Sequence, residues 1–80
     1  SGSDAALHEK CLFELGRTHV KKADAKSAVE KFSELLRTHA QGSLTRKAMI
    51  QLAEIYERAR DNARAASLYE KASRIPPQDK

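Results

Sequence analysis

The sequence predicts an all-α fold of two stacked antiparallel helix hairpins. Three observations predict it. Ala, Leu, Glu, Lys and Arg dominate, with 3 Gly and 2 Pro in 80 residues, and no run of alternating β-branched residues suggests a strand. Apolar residues recur at spacings of three and four in four separate segments. The second half of the chain repeats the chemistry of the first in register.

The first segment, expected over 4–22, places Leu7, Cys11, Leu12, Leu15, Gly16 and His19 on one helical face. The second, over 24–39, carries Ala28, Val29, Phe32, Leu35 and Leu36; Asp24 stands ahead of it as an N-cap whose carboxylate can accept a first-turn amide. Gln41-Gly42-Ser43 reads as a turn. The third segment, over 44–60, holds Ala48, Met49, Leu52, Ala53 and Tyr56, and the fourth, over 61–75, holds Ala65, Leu68, Tyr69, Ala72 and Ile75. Asp61 caps the fourth and Pro76-Pro77 stops it. Ser1-Gly2-Ser3 reads as a cloning remnant, and residues 78–80 as a tail.

A shift of 37 residues pairs Leu12 with Met49, Leu15 with Leu52, Gly16 with Ala53, His19 with Tyr56, Asp24 with Asp61, Ala28 with Ala65 and Phe32 with Tyr69. The first unit is therefore 4–40 and the second 41–77. The pattern has a physical basis: Gly16 with Ala28, and Ala53 with Ala65, lack bulk where antiparallel helices cross, leaving space for Phe32 and Tyr69. Leu35 is expected between the two hairpins.

The string Met49-x2-Leu52-Ala53-x2-Tyr56, then Ala65-x3-Tyr69-x2-Ala72 and Pro77, resembles the tetratricopeptide repeat at every spacing. Leu12-x2-Leu15-Gly16, Ala28 and Phe32 resemble it too, although His19, Leu35 and Ala40 depart from the usual Tyr, small residue and Pro. The resemblance implies that the hairpins form a short right-handed solenoid, serving as a protein-interaction module or scaffold fragment without catalytic activity. The repeat is stretched from about 34 residues in the connection from Thr38 to Leu44. Such stretched repeats are similar to those of scaffold proteins in bacterial envelopes.

The site a repeat hairpin offers is the groove along its first helices. There the side chains off the packing stripe are Lys10, Phe13, Glu14, Arg17 and Lys21, matched by Lys47, Ile50, Gln51, Glu54 and Arg58. Lys10, Phe13, Arg17, Lys47, Ile50 and Gln51 are thus the expected groove, with Phe13 and Ile50 as apolar anchors and the cations suited to an acidic peptide or partner helix. The Lys and Asn clamp with which some family members hold chaperone C-termini does not transfer, because Phe13, Arg17 and Gln51 occupy its positions. Two hairpins are few for a solenoid, so a longer array or self-association is expected, with Leu68 and Ile75 at one end and Leu7 and Cys11 at the other.

Other chemistries find less support. Cys11 cannot close an internal disulfide, and His8 with Cys11 falls short of the roughly four ligands of a zinc site, so no metal or cofactor is expected. Cys11 reads as a small buried residue, and His19 as partly buried and hydrogen-bonded. No glycine-rich phosphate loop is present, and Ser43, Thr45, Arg46 and Lys47 read as an ordinary helix start. A formal charge of +4, with Arg58, Arg60 and Arg64 around one turn, raises a basic nucleic-acid-binding module as the alternative. Against it, the four aromatics are expected in the hairpin cores and Glu54, Glu57 and Glu70 interrupt the patch. No apolar stretch approaches a membrane span, no signal peptide is expected, and an intracellular setting is slightly favoured.

Overall fold

A computed structural model describes residues 2–76 and contains, in order, α1 (Gly2–Lys21), α2 (Ala25–Thr38), α3 (Thr45–Arg58) and α4 (Asn62–Ser73). Among the described residues every regular element is helical. Helix α1 begins before the expected residue 4 and takes in Gly2 and Ser3, while α4 ends two residues short of Ile75. Pro77 and the tail lie outside the described residues.

Each helix packs on the next, α1 on α2, α2 on α3 and α3 on α4. The shape is elongated, 39 × 28 × 21 Å. One core joins the hairpins: Leu12, Phe13, Ala28, Phe32, Leu35, Ala48, Leu52 and Ile55 are buried together. Leu35 is fully covered within it, so the bulky residue at the repeat's usual small position serves as a centre of the contact between hairpins. Gly16 is buried against α2; a Cβ there would lie 2.6 Å from Cζ of Phe32. That close approach explains why the tight helix crossing carries a glycine.

The internal repeat extends to the backbone of the turns. Ala23 and Arg60, which correspond under the 37-residue shift, both adopt the left-handed conformation, with φ of 61° and 66°. In the first turn the Asp24 amide donates to the His19 carbonyl at 2.9 Å and the Ala23 amide to Val20 at 3.0 Å. In the second, Asp61 donates to Tyr56 at 2.8 Å and Arg60 to Glu57 at 3.0 Å. These are paired Schellman closures, which satisfy the last carbonyls of a helix. The residue completing each closure is the N-cap of the next helix: Asp24 Oδ1 accepts from the Ser27 amide and Asp61 Oδ1 from the Arg64 amide, both at 3.2 Å. Two aspartates thus end one helix and start another, which makes each hairpin turn tight.

Several expected burials are corrected. Leu15 is 45% exposed and Cys11, read as a small buried residue, is exposed too, while Leu7, expected at an open end, is 61% exposed. Helix α1 instead buries Glu9, Leu12, Phe13 and Gly16, because its partners α2 and α3 lie on that side. Tyr69 is 38% exposed whereas its counterpart Phe32 is fully covered. Phe32 is covered because α3 follows its hairpin; no described helix follows α4. The Tyr69 hydroxyl donates to Glu57 Oε1 at 3.0 Å, and that bond holds its pKa above the ordinary value.

Candidate functional site

Helices α1 and α3 border a hollow of about 450 Å³ lined by Ala6, Glu9, Lys10, Phe13, Glu14, Arg17, Ser43, Leu44 and Lys47. It brings together Lys10, Phe13, Arg17 and Lys47 of the expected groove; Ile50 and Gln51 are half-buried on α3 and do not line it. Lys10, Arg17 and Lys47 are exposed. Phe13 is buried, its ring edge-on to Phe32 with centroids 5.7 Å apart. Phe13 is therefore a core side chain and not the projecting one expected. The Arg17 guanidinium lies 5.9 Å from the centre of the Phe13 ring, a distance at which a cation is attracted to the aromatic face.

Glu9 was absent from the expected groove. It is buried, and its Oε2 accepts the Leu44 amide at 2.8 Å. Leu44 is the N-cap residue of α3 and provides no side-chain cap of its own, so Glu9 supplies from α1 the acceptor that the free amides need. The carboxylate occupies the space beside Gly42, where any Cβ would overlap it. The helix start at Ser43, Thr45, Arg46 and Lys47 therefore already has an internal carboxylate beside it. Thr45 is buried and donates its hydroxyl to the His39 carbonyl at 2.7 Å, which completes the loop's attachment. The signal for Glu9 was an acid in helical register with Leu12 and Gly16, combined with a following loop that lacks an Asp cap.

The end residues divide. Leu68 is half-buried against the core and lines a hollow with Ser33, Leu36, Leu52 and Tyr56, so it points inward more than expected. Ile75 is half-buried beside Ala40, Gln41, Gly42 and Thr45 at the far end of α4. Of the basic cluster, Arg64 pairs with Asp61 at 3.2 Å and lies 5.7 Å from the Tyr56 ring centre. Both contacts lie within the hairpin, and the Arg64 side chain remains largely exposed. His19 is partly covered as expected, but its Nδ1 is buried without a hydrogen-bond partner, 3.6 Å from Asp24 Oδ2.

The profile of the family described as Tetratricopeptide repeat matches residues 48–80. Residues 48–80 thus carry a tetratricopeptide repeat. The match runs from within α3 through α4, the hairpin whose spacing follows the repeat throughout. The first tetratricopeptide-like hairpin shares its turn geometry and its small-residue crossing. No curated protein and no solved structure matches the chain. Tetratricopeptide repeats generally mediate protein–protein interaction.

Proposed function

We propose that this chain is an interaction module that holds an acidic, partly apolar peptide or partner helix in the groove between α1 and α3. The observation that carries the reading is the meeting of Lys10, Arg17 and Lys47 around the floor made by Phe13. Three exposed cations offer carboxylates charge-assisted contacts, while the floor accepts an apolar side chain. Glu14, on the same rim, favours a ligand that carries an amide or hydroxyl opposite it.

A fluorescent acidic peptide with interspersed Leu residues tests this by anisotropy. Lys10→Ala/Arg17→Ala should weaken binding by roughly tenfold or more, two lost charge contacts being worth at least about 1.4 kcal/mol together. Phe13 is left intact, because its truncation would open the core. Unchanged affinity in the double variant would remove the groove from the reading. Steep loss of binding to single-stranded nucleic acid with rising salt would instead favour the basic-module alternative.

A second surface supports end-to-end association. Leu7, Cys11 and Leu15 are exposed at successive turns of α1, and Tyr69 is 38% exposed on α4. These faces lie on the outermost described helices, where a neighbouring repeat or second copy would bury them.

A further inference from the structure

We propose that His8 and His39 form a two-imidazole chelate for a divalent late transition metal, nickel(II) or copper(II). His8 Nδ1 and His39 Nε2 lie 2.8 Å apart, with ring centroids 4.9 Å apart and planes tilted by 55°. The two residues are 31 positions apart in sequence, and helix packing alone brings them together. With metal–nitrogen bonds of about 2.1 Å, two imidazoles at about 90° have nitrogens about 3 Å apart. The observed spacing therefore needs only a small opening for octahedral or square-planar ions, and a larger one for tetrahedral zinc.

The backbone under His39 is fixed on several sides. Its amide donates to Leu35 at 2.8 Å, and its carbonyl accepts from the buried Thr45 hydroxyl at 2.7 Å and from the Gly42 amide at 3.0 Å. His8 stands one residue before Glu9, whose carboxylate ties α1 to the same loop through Leu44. Both ligands consequently come from anchored backbone, which lowers the entropic cost of chelation. In the metal-free pair one ring nitrogen donates to the other. For both facing nitrogens to offer lone pairs to the ion, that proton moves to the far nitrogen of the same ring.

Among the described residues no group of three or more His, Cys, Asp or Glu side chains converges on a metal position. Water completes the coordination, so the site is weaker than a closed structural zinc site and remains open to a further ligand.

Titration calorimetry of the whole chain with nickel chloride tests the site; nickel avoids the oxidation that copper would cause at exposed Cys11. One equivalent should bind, and His8→Ala and His39→Ala should each weaken it by about tenfold or more, at least as much as losing an outer-shell partner. Cys11→Ser should leave the affinity unchanged. Nickel should also raise the melting temperature of the unaltered chain and not of either histidine variant, with circular dichroism establishing that both variants remain helical. Equal affinity in the histidine variants, loss of binding in Cys11→Ser, or no binding at millimolar nickel would overturn the proposal.

Discussion

Glu9 on α1 accepts the amide of Leu44 at the start of α3, 35 positions along the chain, at 2.8 Å. A helix normally takes its N-cap from the adjacent residue; here the cap comes from the neighbouring hairpin. The same carboxylate therefore serves local helix formation and the contact between repeats. Glu9→Ala should cost about 1 to 3 kcal/mol, the range for losing a buried charged acceptor and a helix cap. Glu9→Gln keeps an acceptor and should cost less. Urea unfolding midpoints measure both, and equal midpoints for all three chains would show that the cap contributes nothing to stability.

Gly42→Ala probes that relationship from the loop side. The added methyl overlaps the Glu9 carboxylate and must displace it. Its cost should largely vanish in a Glu9→Ala background, because the clash and the cap disappear together. A double-mutant cycle on unfolding free energies measures the coupling; simple additivity would mean that the loop accommodates the methyl without moving Glu9.

Gly16→Ala tests the crossing of α1 and α2. Its Cβ would meet three atoms of the Phe32 ring at 2.6 to 2.9 Å, and a fully covered ring has little room to retreat. Overpacking should cost about 1 to 3 kcal/mol despite the better helix propensity of alanine. A rise in the thermal midpoint would show that the crossing can relax.

These residues also mark what could be read in advance. Gly16, Phe32, Asp24 and Asp61 were legible because their signals are local: a small residue in register with an aromatic, and an acid ahead of an apolar stripe. The side of α1 that is buried was less legible. Leu7, Leu15, Phe13 and Glu9 all fall within a broad helical arc, and which part faces inward depends on where α2 and α3 lie. The apolar residues outnumber the buried positions, so hydrophobicity pointed toward Leu7 and Leu15 while packing selected Phe13 and Glu9. The pairing of His8 with His39 depends on the same tertiary rotation and carries no local signal.

The left-handed residues Ala23 and Arg60 give a matched pair of tests. Each bears a Cβ in a conformation that glycine adopts freely, and each closes a Schellman turn. Ala23→Gly and Arg60→Gly should each be neutral to stabilising by up to about 1 kcal/mol, the relieved backbone strain exceeding the added flexibility of the unfolded chain. Thermal unfolding of the two variants measures the balance. A substantial loss in either would mean that the side chain contributes more than its backbone strain costs.

Asp24 links the first turn to acid stability. Ser27, whose amide donates to its carboxylate, lowers the Asp24 pKa below the ordinary carboxyl value, with a smaller contribution from nearby His19. A depressed carboxyl pKa means that the ionised group favours the folded state above the unfolded value. This contribution is lost as pH falls through the lower, folded value. Asp24→Asn retains a capping oxygen without the titration, so its stability should follow that of the parent less steeply between pH 5 and pH 2, an interval of about three units spanning that transition. Denaturant midpoints across the acid range check the slope, and parallel curves would exclude Asp24 as a contributor to acid sensitivity.

The exposed stripe of α1 leads to a prediction about assembly. Leu7 and Leu15 are 61% and 45% exposed, with Cys11 exposed between them. At the other end, Tyr69 is 38% exposed and Ile75 is half-buried beyond the last turn of α4. Covering one such large side chain completely contributes about 1.5 to 3 kcal/mol. The two faces differ, so joining one to the other repeats head to tail instead of closing as a symmetric pair. The chain should therefore form concentration-dependent oligomers by light scattering. Leu15→Glu should disrupt them while shifting monomer stability by no more than about 0.5 kcal/mol, since the leucine makes little use of its own core. Ile75→Glu should weaken the same association from the opposite face, and mixing the two variants should permit a terminated pair through each chain's intact face. Leu68→Glu is a less specific probe because Leu68 already packs on the core and its loss would destabilise the fold. Monomer at every concentration, or association unaffected by both Leu15→Glu and Ile75→Glu, would exclude end-to-end stacking through these faces.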